Sequence, residues 1–389
     1  SRDTFSTEGE RKEEFYLLLV LSVLGAVVLI QSSHMVSLLL GMELMGVALY
    51  AMIAFPEKGQ LSLEAAIKYL VLSACASAML LYGFALLYAT TGDLSYGGIG
   101  LKAILAYQQN PLILMSGTAM VVAGIGFKLS VVPFHMWTPD VYEGAPTPIT
   151  AFFAIVPKLA AIALIFRFCL EPFRSFYFEW TQVIFFLSVA SMFLGATAAI
   201  AQKSLKRLLA YSSIGHVGYV LIALVSASDQ GIRSASIYMF IYLIMNISVF
   251  AILLSLKKSD KYVDKINQLT GLSKANPIVS ASLAIIMLSM AGIPPFIGFF
   301  GKFYVFIAAI ESQQYILAVL GVLASVISAF YYLRIIKGMY FDEAIDGENF
   351  DFTINNQAKV ILLTLMLIII FFILYPSLLT SIVSAISLV

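Results

Sequence analysis

The sequence predicts an all-α polytopic membrane protein with about eleven transmembrane helices. Hydrophobic residues make up 61% of the 389-residue chain and charged residues only 12%, about half of the roughly 25% that soluble domains carry. Uncharged stretches such as VILLTLMLIIIFFILY fit a membrane-spanning helix and are too long for core strands. The net charge of +1 points to no nucleic-acid or acidic partner, and the apolar stretches make the lipid bilayer the expected surroundings.

Eleven apolar stretches are long enough to cross a hydrocarbon layer of about 30 Å. We place them at residues 15–32, 34–55, 63–90, 111–136, 148–170, 181–202, 205–225, 232–256, 277–310, 314–340 and 358–387. A hydrophilic N-terminus, 1–14, precedes them, and a hydrophilic loop, 341–357, separates the last two. The first residues lack both an initiator methionine and the features of a signal peptide, so we expect a chain that lacks its beginning.

Basic residues in the connections are concentrated on one side of the membrane. When the connections alternate between the two sides, fifteen Lys and Arg residues fall on one side and four on the other. The positive-inside rule makes the richer side cytoplasmic. It therefore predicts a protein of the cell inner membrane with its N-terminus in the cytoplasm and its C-terminus outside.

Four basic residues belong to neither side and fall inside the predicted spans, as does one glutamate; they are Lys68, Lys128, Lys158, Lys302 and Glu43. A charge at the bilayer centre costs roughly 2.5–3.5 kcal/mol on insertion scales, and such residues usually mark an ion path. We therefore predict that this set translocates protons or another small cation. Lys68 is the weakest member, because it lies near the cytoplasmic end of its span and its ammonium could reach the surface.

Prolines lie close to two of these lysines. Pro133 follows Lys128 by five residues, and Pro294 and Pro295 precede Lys302. Proline interrupts the hydrogen bonding of a helix, and inside a membrane the freed groups must be satisfied by protein or water. We therefore predict a hydrated pocket beside each helix break.

Each break lies in the fourth span of a block of five. The sequence thus predicts two five-helix repeats, 15–170 and 181–340, followed by a C-terminal transmembrane helix at 358–389. An odd number of spans inverts the second copy, and inverted repeats with broken helices point to a transport site at the midplane. On this basis Lys128 and Lys302 should occupy equivalent positions.

Two histidines are possible relay residues. His216 lies among small and hydroxylated residues in the seventh span, and His135 follows Pro133. An ordinary pKa near neutrality suits a proton relay, although a helix-packing role is as common. HExxH, CxxC, GxGxxG and Walker patterns do not occur in the sequence, so we predict no metal and no cofactor in this chain.

Four segments closely resemble one family. SLEAAIKYLVLSACASAMLLYGFALLYATTGDLSY, GFKLSVVPFHMWTPDVYEGAPTPITAFFA, KRLLAYSSIGHVGYVLIAL and MLSMAGIPPFIGFFGKFYVF are similar to the N subunits of bacterial proton-pumping NADH:quinone oxidoreductase, respiratory complex I. These are the counterparts of mitochondrial NADH dehydrogenase subunit 2. The resemblance runs from about Phe15 to the C-terminus. Shorter pieces such as PFHMWTPDVYEGAPTP are shared with multisubunit sodium/proton antiporters and membrane hydrogenases.

The resemblance implies fourteen transmembrane helices, of which this chain would lack the first three. It implies that Glu43 pairs with Lys128, that Lys158 connects the repeats and that Lys302 faces the exit, with a further contribution from Lys68. It also implies other membrane-arm subunits as partners. FMN, iron–sulfur clusters and quinone would belong to other subunits, so this chain is expected to be a translocase subunit without redox chemistry.

Two alternative functions stay open on the sequence alone. The first is a subunit of a multisubunit sodium/proton antiporter or of a membrane hydrogenase. The second is a structural membrane subunit, in which the buried charges only hold helices in register.

Overall fold

The structure, a computed structural model, describes residues 12–56, 59–258, 261–343, 350–352, 356–374 and residue 381. Within these residues, nine helices are long and apolar enough to cross a membrane. Two shorter apolar helices, Pro277–Ala291 and Lys359–Leu374, lie in the ninth and eleventh predicted spans. The protein is therefore an all-α multi-pass membrane protein, and the fold class expected from composition is confirmed.

The chain divides into two compact units, Ser1–Val183 and Ile184–Val389. The helices of the first unit are α1 (Lys12–Gln31), α2 (Met35–Ile53), α3 (Gln60–Thr91), α4 (Tyr96–Gln109), α5 (Pro111–Leu129), α6 (Trp137–Gly144), α7 (Thr147–Leu170) and the start of α8 (Tyr177–Ile200). The apolar pattern gave no separate helix for α4 or α6. Ser95 starts α4, because its hydroxyl accepts the Gly98 N–H at 3.1 Å and so caps the first turn.

The second unit continues through α8. Its other helices are α9 (Leu205–Val225), α10 (Asp229–Leu253), α11 (Leu272–Ala275), α12 (Pro277–Ala291), α13 (Ile297–Glu311), α14 (Tyr315–Tyr340) and α15 (Asn356–Phe371). A small antiparallel sheet of order β2-β1-β3 consists of β1 (Leu256–Lys258), β2 (Lys261–Tyr262) and β3 (Phe350–Phe352). Strand β3 lies within residues 341–357, which were predicted to be a loop. Three residues are too few to show the alternation of apolar and polar side chains that predicts a strand.

The fourth and ninth predicted spans are both interrupted. The fourth was expected to continue to residue 136, but α5 ends at Leu129. The ninth, 277–310, consists of α12 and α13, with residues 292–296 between them. The expected N-terminal segment, the loop before α15 and the end of the C-terminal helix lie largely outside the described residues.

The first two helices of each unit pack with little space between their main chains. A Cβ atom built on Gly25 of α1 would lie 2.8 Å from the Gly41 carbonyl oxygen of α2. In the second unit, a Cβ on Gly195 of α8 would lie 2.7 Å from the Gly215 nitrogen of α9. Small residues are needed where helix backbones approach this closely. Such a glycine crossing therefore joins the first two helices in both units.

A short main-chain bridge also occurs once in each unit. Residues preceding the second helix pair with residues further along the chain, His34 with Ser95 in the first unit and Ser204 with Lys265 in the second. The flanking hydrogen bonds match as well. The N–H of residue 35 donates to the carbonyl of residue 94 at 2.8 Å, and the N–H of residue 205 donates to the carbonyl of residue 264 at 2.8 Å. These bonds fix where the second helix of each unit begins.

An arginine ties the last long helix of each unit to the end of its first helix. Arg167 of α7 donates to the Ile30 carbonyl at 2.6 Å, and Arg334 of α14 donates to the Ile200 carbonyl at 2.5 Å. The last carbonyls of a helix have no partner within the helix, so each arginine satisfies a group that the helix leaves open.

Candidate proton-translocation site

Lys128 lies in the last turn of α5 and is only 2% exposed. Its Nζ donates to the Ser73 hydroxyl at 3.0 Å and to the Tyr69 hydroxyl at 3.4 Å. The ammonium also lies 5.3 Å from the centre of the Tyr69 ring, within cation–π range. Its described partners are therefore uncharged groups of α3.

Glu43 of α2 is half-buried rather than buried. Its carboxylate accepts a short hydrogen bond from the Ser77 hydroxyl of α3. Among the described residues, none of the ion pairs joins Glu43 to Lys128. The expected direct pair is thus replaced by contacts of both residues with α3.

Lys158 lies in the middle of α7 and is 1% exposed. Its Nζ donates to the carbonyl of Leu129 at 3.3 Å. Leu129 is the last residue of α5, so this carbonyl belongs to the end of a helix and has no helical partner. The structure therefore brings Lys158 to the peptide group next to Lys128.

Lys302 lies in α13, just after the second break, and is 4% exposed. Its Nζ donates to the Ala291 carbonyl and to the Ser325 hydroxyl, each at 2.8 Å. The ammonium lies 4.8 Å from the centre of the Tyr219 ring. Lys302 therefore contacts a serine hydroxyl and a tyrosine ring, as Lys128 does. It also donates a hydrogen bond to the carbonyl at the end of a helix, as Lys158 does.

The two helix breaks have the same main-chain geometry. Ser130 and Gly292 have positive φ angles of 64° and 85°, and each N–H turns back to carbonyls of the preceding turn. The residue before each, Leu129 or Ala291, offers its carbonyl to a lysine. In both breaks this acceptor lies four residues before a proline. Lys128 precedes the first break along the chain, whereas Lys302 follows the second. The two lysines that donate to the carbonyl at a break are therefore Lys158 and Lys302.

His216 joins a hydroxyl network in the second unit. Its Nδ1 lies 2.6 Å from the Tyr238 hydroxyl and its Nε2 lies 3.1 Å from the Tyr332 hydroxyl. Tyr332 is in turn 2.5 Å from the Ser212 hydroxyl. A small cavity is lined by His216, Lys302, Ser212 and Tyr332 among other residues. The predicted relay histidine therefore shares a cavity with a predicted relay lysine.

His135 and Lys68 have different surroundings. His135 lies buried between α5 and α6, and within the described part of the chain its Nδ1 has no hydrogen-bond partner. Lys68 is 44% exposed and forms ion pairs with Glu64 at 2.8 Å and Asp140 at 3.1 Å. Lys68 is thus not a buried charge. The carboxylates that neutralise it belong to Glu64 of α3 and Asp140 of α6.

The uncharged members of the site were missed by sequence reasoning. Ser73, Ser77 and Ser325 accept from or donate to the charged groups, and the rings of Tyr69 and Tyr219 lie beside the ammonium groups. Serines are common in membrane helices, so only their spacing on a buried face could have indicated a role. Among the described residues, no group of three metal-ligating side chains occurs.

Comparison with known proteins identifies the family. The model of the family described as "NADH:quinone oxidoreductase/Mrp antiporter, TM" matches residues 32–328. NADH-quinone oxidoreductase subunit N of Rhodospirillum rubrum is 46% identical over 370 residues, covering 95% of this chain and 75% of that protein. The protein of the same name from Pelagibacter ubique is 46% identical over 376 residues, covering 97% and 79%.

Solved structures have the same fold. A chain of respiratory complex I from Thermus thermophilus with bound aureothin matches with a TM-score of 0.81 and 32% identity, over 95% of this chain and 79% of that chain. A chain of the Mrp complex from Dietzia matches with a TM-score of 0.82 at 21% identity, over 94% and 76%, and this likeness concerns the fold alone. The chain therefore belongs to the NADH:quinone oxidoreductase/Mrp antiporter transmembrane family, and within it to the subunit N group.

Proposed function

We propose that the chain is an antiporter-like membrane-arm subunit of a bacterial NADH:quinone oxidoreductase, in the inner membrane and in contact with other membrane subunits. Its membership of the subunit N group supports this function more than that of a sodium/proton antiporter. The chain would translocate protons without redox chemistry of its own. FMN, iron–sulfur clusters and quinone would belong to other subunits of the complex.

The relay that we propose consists of Glu43, Lys128, Lys158 and Lys302. The observation that carries it is that all three lysines are almost fully buried and donate to neutral oxygens. A lysine that served only to hold helices together would be expected to pair with a carboxylate, because a buried charge without one is costly. Neutral acceptors stabilise an ammonium less than a carboxylate does, so they leave the proton free to move on.

Movement of Glu43 would control the first step. A carboxylate close to Lys128 holds the ammonium charged, and its withdrawal favours proton release. The proton would pass to Lys158, whose acceptor is the peptide group next to Lys128, and then to Lys302. Water can bridge polar groups further apart than about 3.5 Å. Quinone reduction in other subunits would supply the energy.

His216 is a candidate for the same path in the second unit. It lines the cavity that Lys302 also lines, and its two ring nitrogens contact hydroxyl groups that can both donate and accept. His135 would contribute only if water reaches it, and Lys68 would act near the exposed end of α3 instead of in the buried row.

The two units would be the predicted five-helix repeats, 15–170 and 181–340. Support comes from the glycine crossing of the first two helices, the main-chain bridge, the arginine tie and the break geometry, each of which the described residues show in both units. Inversion of the second repeat and a cytoplasmic N-terminus would follow from the odd number of spans and from the sorting of basic residues.

The relay can be tested in the complete complex reconstituted into proteoliposomes. Lys128→Ala, Lys158→Ala, Lys302→Ala and Glu43→Ala should each slow proton pumping by on the order of tenfold or more while the complex still assembles, because each removes a proton-carrying group. Lys102→Ala is a matched control, since Lys102 is 49% exposed in an ion pair with Asp93. Wild-type pumping in all four variants would refute the relay, whereas failed assembly would favour a purely structural role.

A further inference from the structure

Two serines one helical turn apart on α3 contact the first two members of the proposed relay. Ser73 accepts a hydrogen bond from Lys128 Nζ at 3.0 Å, and the Ser77 hydroxyl donates to the Glu43 carboxylate. Residues four apart lie on one face of a helix, separated by about 6 Å along its axis. The two charged groups therefore reach the same face of α3 from two different helices.

The roles of the two hydroxyl groups match the charges that they contact. A serine hydroxyl has one donor and two acceptor sites, so Ser77 can donate to a carboxylate while Ser73 accepts from an ammonium. Hydrogen bonds to ionised groups are about twice as strong as those between neutral groups. Each serine thus stabilises its charged partner without bringing the two charges together.

Lys128 also lies close to α2, the helix that carries Glu43. Gly46 lies three residues after Glu43, on the same side of that helix. A Cβ atom at Gly46 would lie 3.2 Å from Lys128 Nζ and 3.1 Å from the Tyr50 hydroxyl. The ammonium therefore already lies against the main chain of α2, about one turn from the carboxylate.

We propose that Ser77 and Ser73 are positioning residues that hold Glu43 and Lys128 apart until the pump cycle requires them to pair. This inference rests on the proposed function and adds the device that sets the resting state of the relay. Release of the Ser77 hydrogen bond would let the Glu43 carboxylate turn toward Lys128, whose ammonium lies against α2 one turn away. Ser73 would keep the ammonium in place during this exchange.

Ser77→Ala in the complete complex is the first test. Without the hydroxyl, the direct pair should become more populated by about tenfold, because a charge-assisted hydrogen bond no longer opposes it. A high-resolution map of the variant should then place the Glu43 carboxylate within salt-bridge distance of Lys128 Nζ, and proton pumping should slow by roughly three- to tenfold. Ser77→Thr, which keeps the hydroxyl, should restore both. Cys75→Ala is the control, since Cys75 lies exposed on another face of α3.

A double variant separates positioning from general damage. If Ser77 acts through Glu43, Ser77→Ala should add no further slowing to a complex that already carries Glu43→Gln. Additive slowing, or an unchanged distance between Glu43 and Lys128 in Ser77→Ala, would overturn the inference. If Ser77→Ala does not assemble, Gly46→Ala tests the same arrangement, because its methyl group should push the ammonium away from α2 and slow pumping. Wild-type pumping in Gly46→Ala would then be the contrary result.

The outcomes distinguish this inference from the proposed function. If Glu43→Ala and Lys128→Ala slow pumping but Ser77→Ala and Ser73→Ala do not, the relay stands and the positioning role fails. If Glu43→Ala and Lys128→Ala pump like wild type, the relay itself fails at its first step.

Discussion

At the scale of single residues, the buried lysines differ from most buried charges in the partners that they have. Lys158 and Lys302 donate to main-chain carbonyls, and Lys128 and Lys302 donate to serine hydroxyls. A carboxylate would hold each ammonium more firmly. The half-buried Glu43 is the acid of α2, and in the proposed relay its position would set how firmly Lys128 holds its proton.

Shortening the Glu43 side chain should have a milder effect than removing its charge. Glu43→Asp keeps the carboxylate and loses about one C–C bond of reach, roughly 1.5 Å. We expect proton pumping within about threefold of wild type, against a loss of tenfold or more in Glu43→Ala. Proton uptake by proteoliposomes, measured beside NADH oxidation, checks the order. Equal losses of proton pumping in the two variants would contradict the expected order. They would mean that the length of the Glu43 side chain, rather than its charge, limits proton transfer.

Asp93, in the connection between α3 and α4, gives a prediction about pH. The Ser95 N–H donates to its carboxylate, and the Ser95 hydroxyl and Lys102 add to this effect, so the pKa of Asp93 is lowered well below its ordinary 3.8. A carboxyl with a lowered pKa stabilises the folded state above its ordinary pKa, and that contribution is lost as pH falls toward the folded-state value.

Asp93→Asn should therefore lower the thermal unfolding temperature of the purified complex at pH 7. The difference from wild type should shrink below about pH 4, because the wild-type carboxyl then loses its advantage over the amide. Thermal unfolding in detergent at several pH values measures this. A difference that stays constant from pH 7 down to about pH 2.5 would contradict it, and Glu311→Gln at the end of α13 is a control for the loss of one carboxylate.

The charged members of the site could be found from the sequence, whereas the uncharged members could not. Lys128, Lys158 and Lys302 stand out because a charge inside an apolar span has no ordinary explanation. Ser73 and Ser77 do not stand out, since a serine can satisfy its hydroxyl on its own helix. Their role depends on which helices pack against α3, and that information is not contained in the pattern of α3 alone.

At the scale of helices, the breaks are the features that create the acceptors. The α5 and α12 helices are each followed by a residue with positive φ. The carbonyl of the last helical residue accepts a hydrogen bond from a lysine elsewhere in the same unit. Proline predicted that both helices are interrupted. It did not predict the last helical residue, because the left-handed residue ends the helix before the proline is reached.

Gly292→Ala should damage the second break directly. A φ of +85° disfavours any residue with a Cβ atom, by about 1–2 kcal/mol, and the new methyl group would lie 2.8 Å from Lys302 Cδ. We expect assembly to be retained and pumping to slow by about tenfold, because the lysine is moved from its acceptors.

The control for this variant is Gly97→Ala, since a Cβ atom there would meet nothing within 4 Å. A map of the Gly292→Ala complex would show whether the hydrogen bond between Lys302 and Ala291 is lost. Retention of that bond together with slow pumping would place the cause elsewhere.

At the scale of the whole molecule, the same kinds of contact recur in the two units, some formed by the same residue type and some by different ones. The tie between the last long helix and the end of the first helix is an arginine in both units, Arg167 and Arg334. The main-chain bridge joins unlike residues in the two units. A helix break in the fourth span of each block of five predicted the repeat. The main-chain bridge could not be read from the sequence, because unlike residues form main-chain hydrogen bonds equally well.

Removing either arginine tie should destabilise the protein by a similar amount. Arg167→Ala and Arg334→Ala each lose hydrogen bonds from a charged donor, which are worth about 1.5–3 kcal/mol. Both variants should therefore unfold at lower temperature in detergent, measured by loss of native helical signal. Lys337→Ala, in which an exposed ion pair is lost, should stay within about 0.5 kcal/mol of wild type. A large effect in only one arginine variant would contradict the idea that the ties are equivalent.

The acceptors at the two breaks also bear on how this protein can vary over evolutionary time. A side-chain partner can be lost through one nucleotide change, but a peptide oxygen is present whatever amino acid occupies the position. Residues 129 and 291 are accordingly free to differ, as leucine and alanine do here, while the lysines keep their acceptors. Divergence between the two halves, or between species, should therefore be tolerated at the acceptor positions, provided that the next residue can adopt a positive φ, as Ser130 and Gly292 both do.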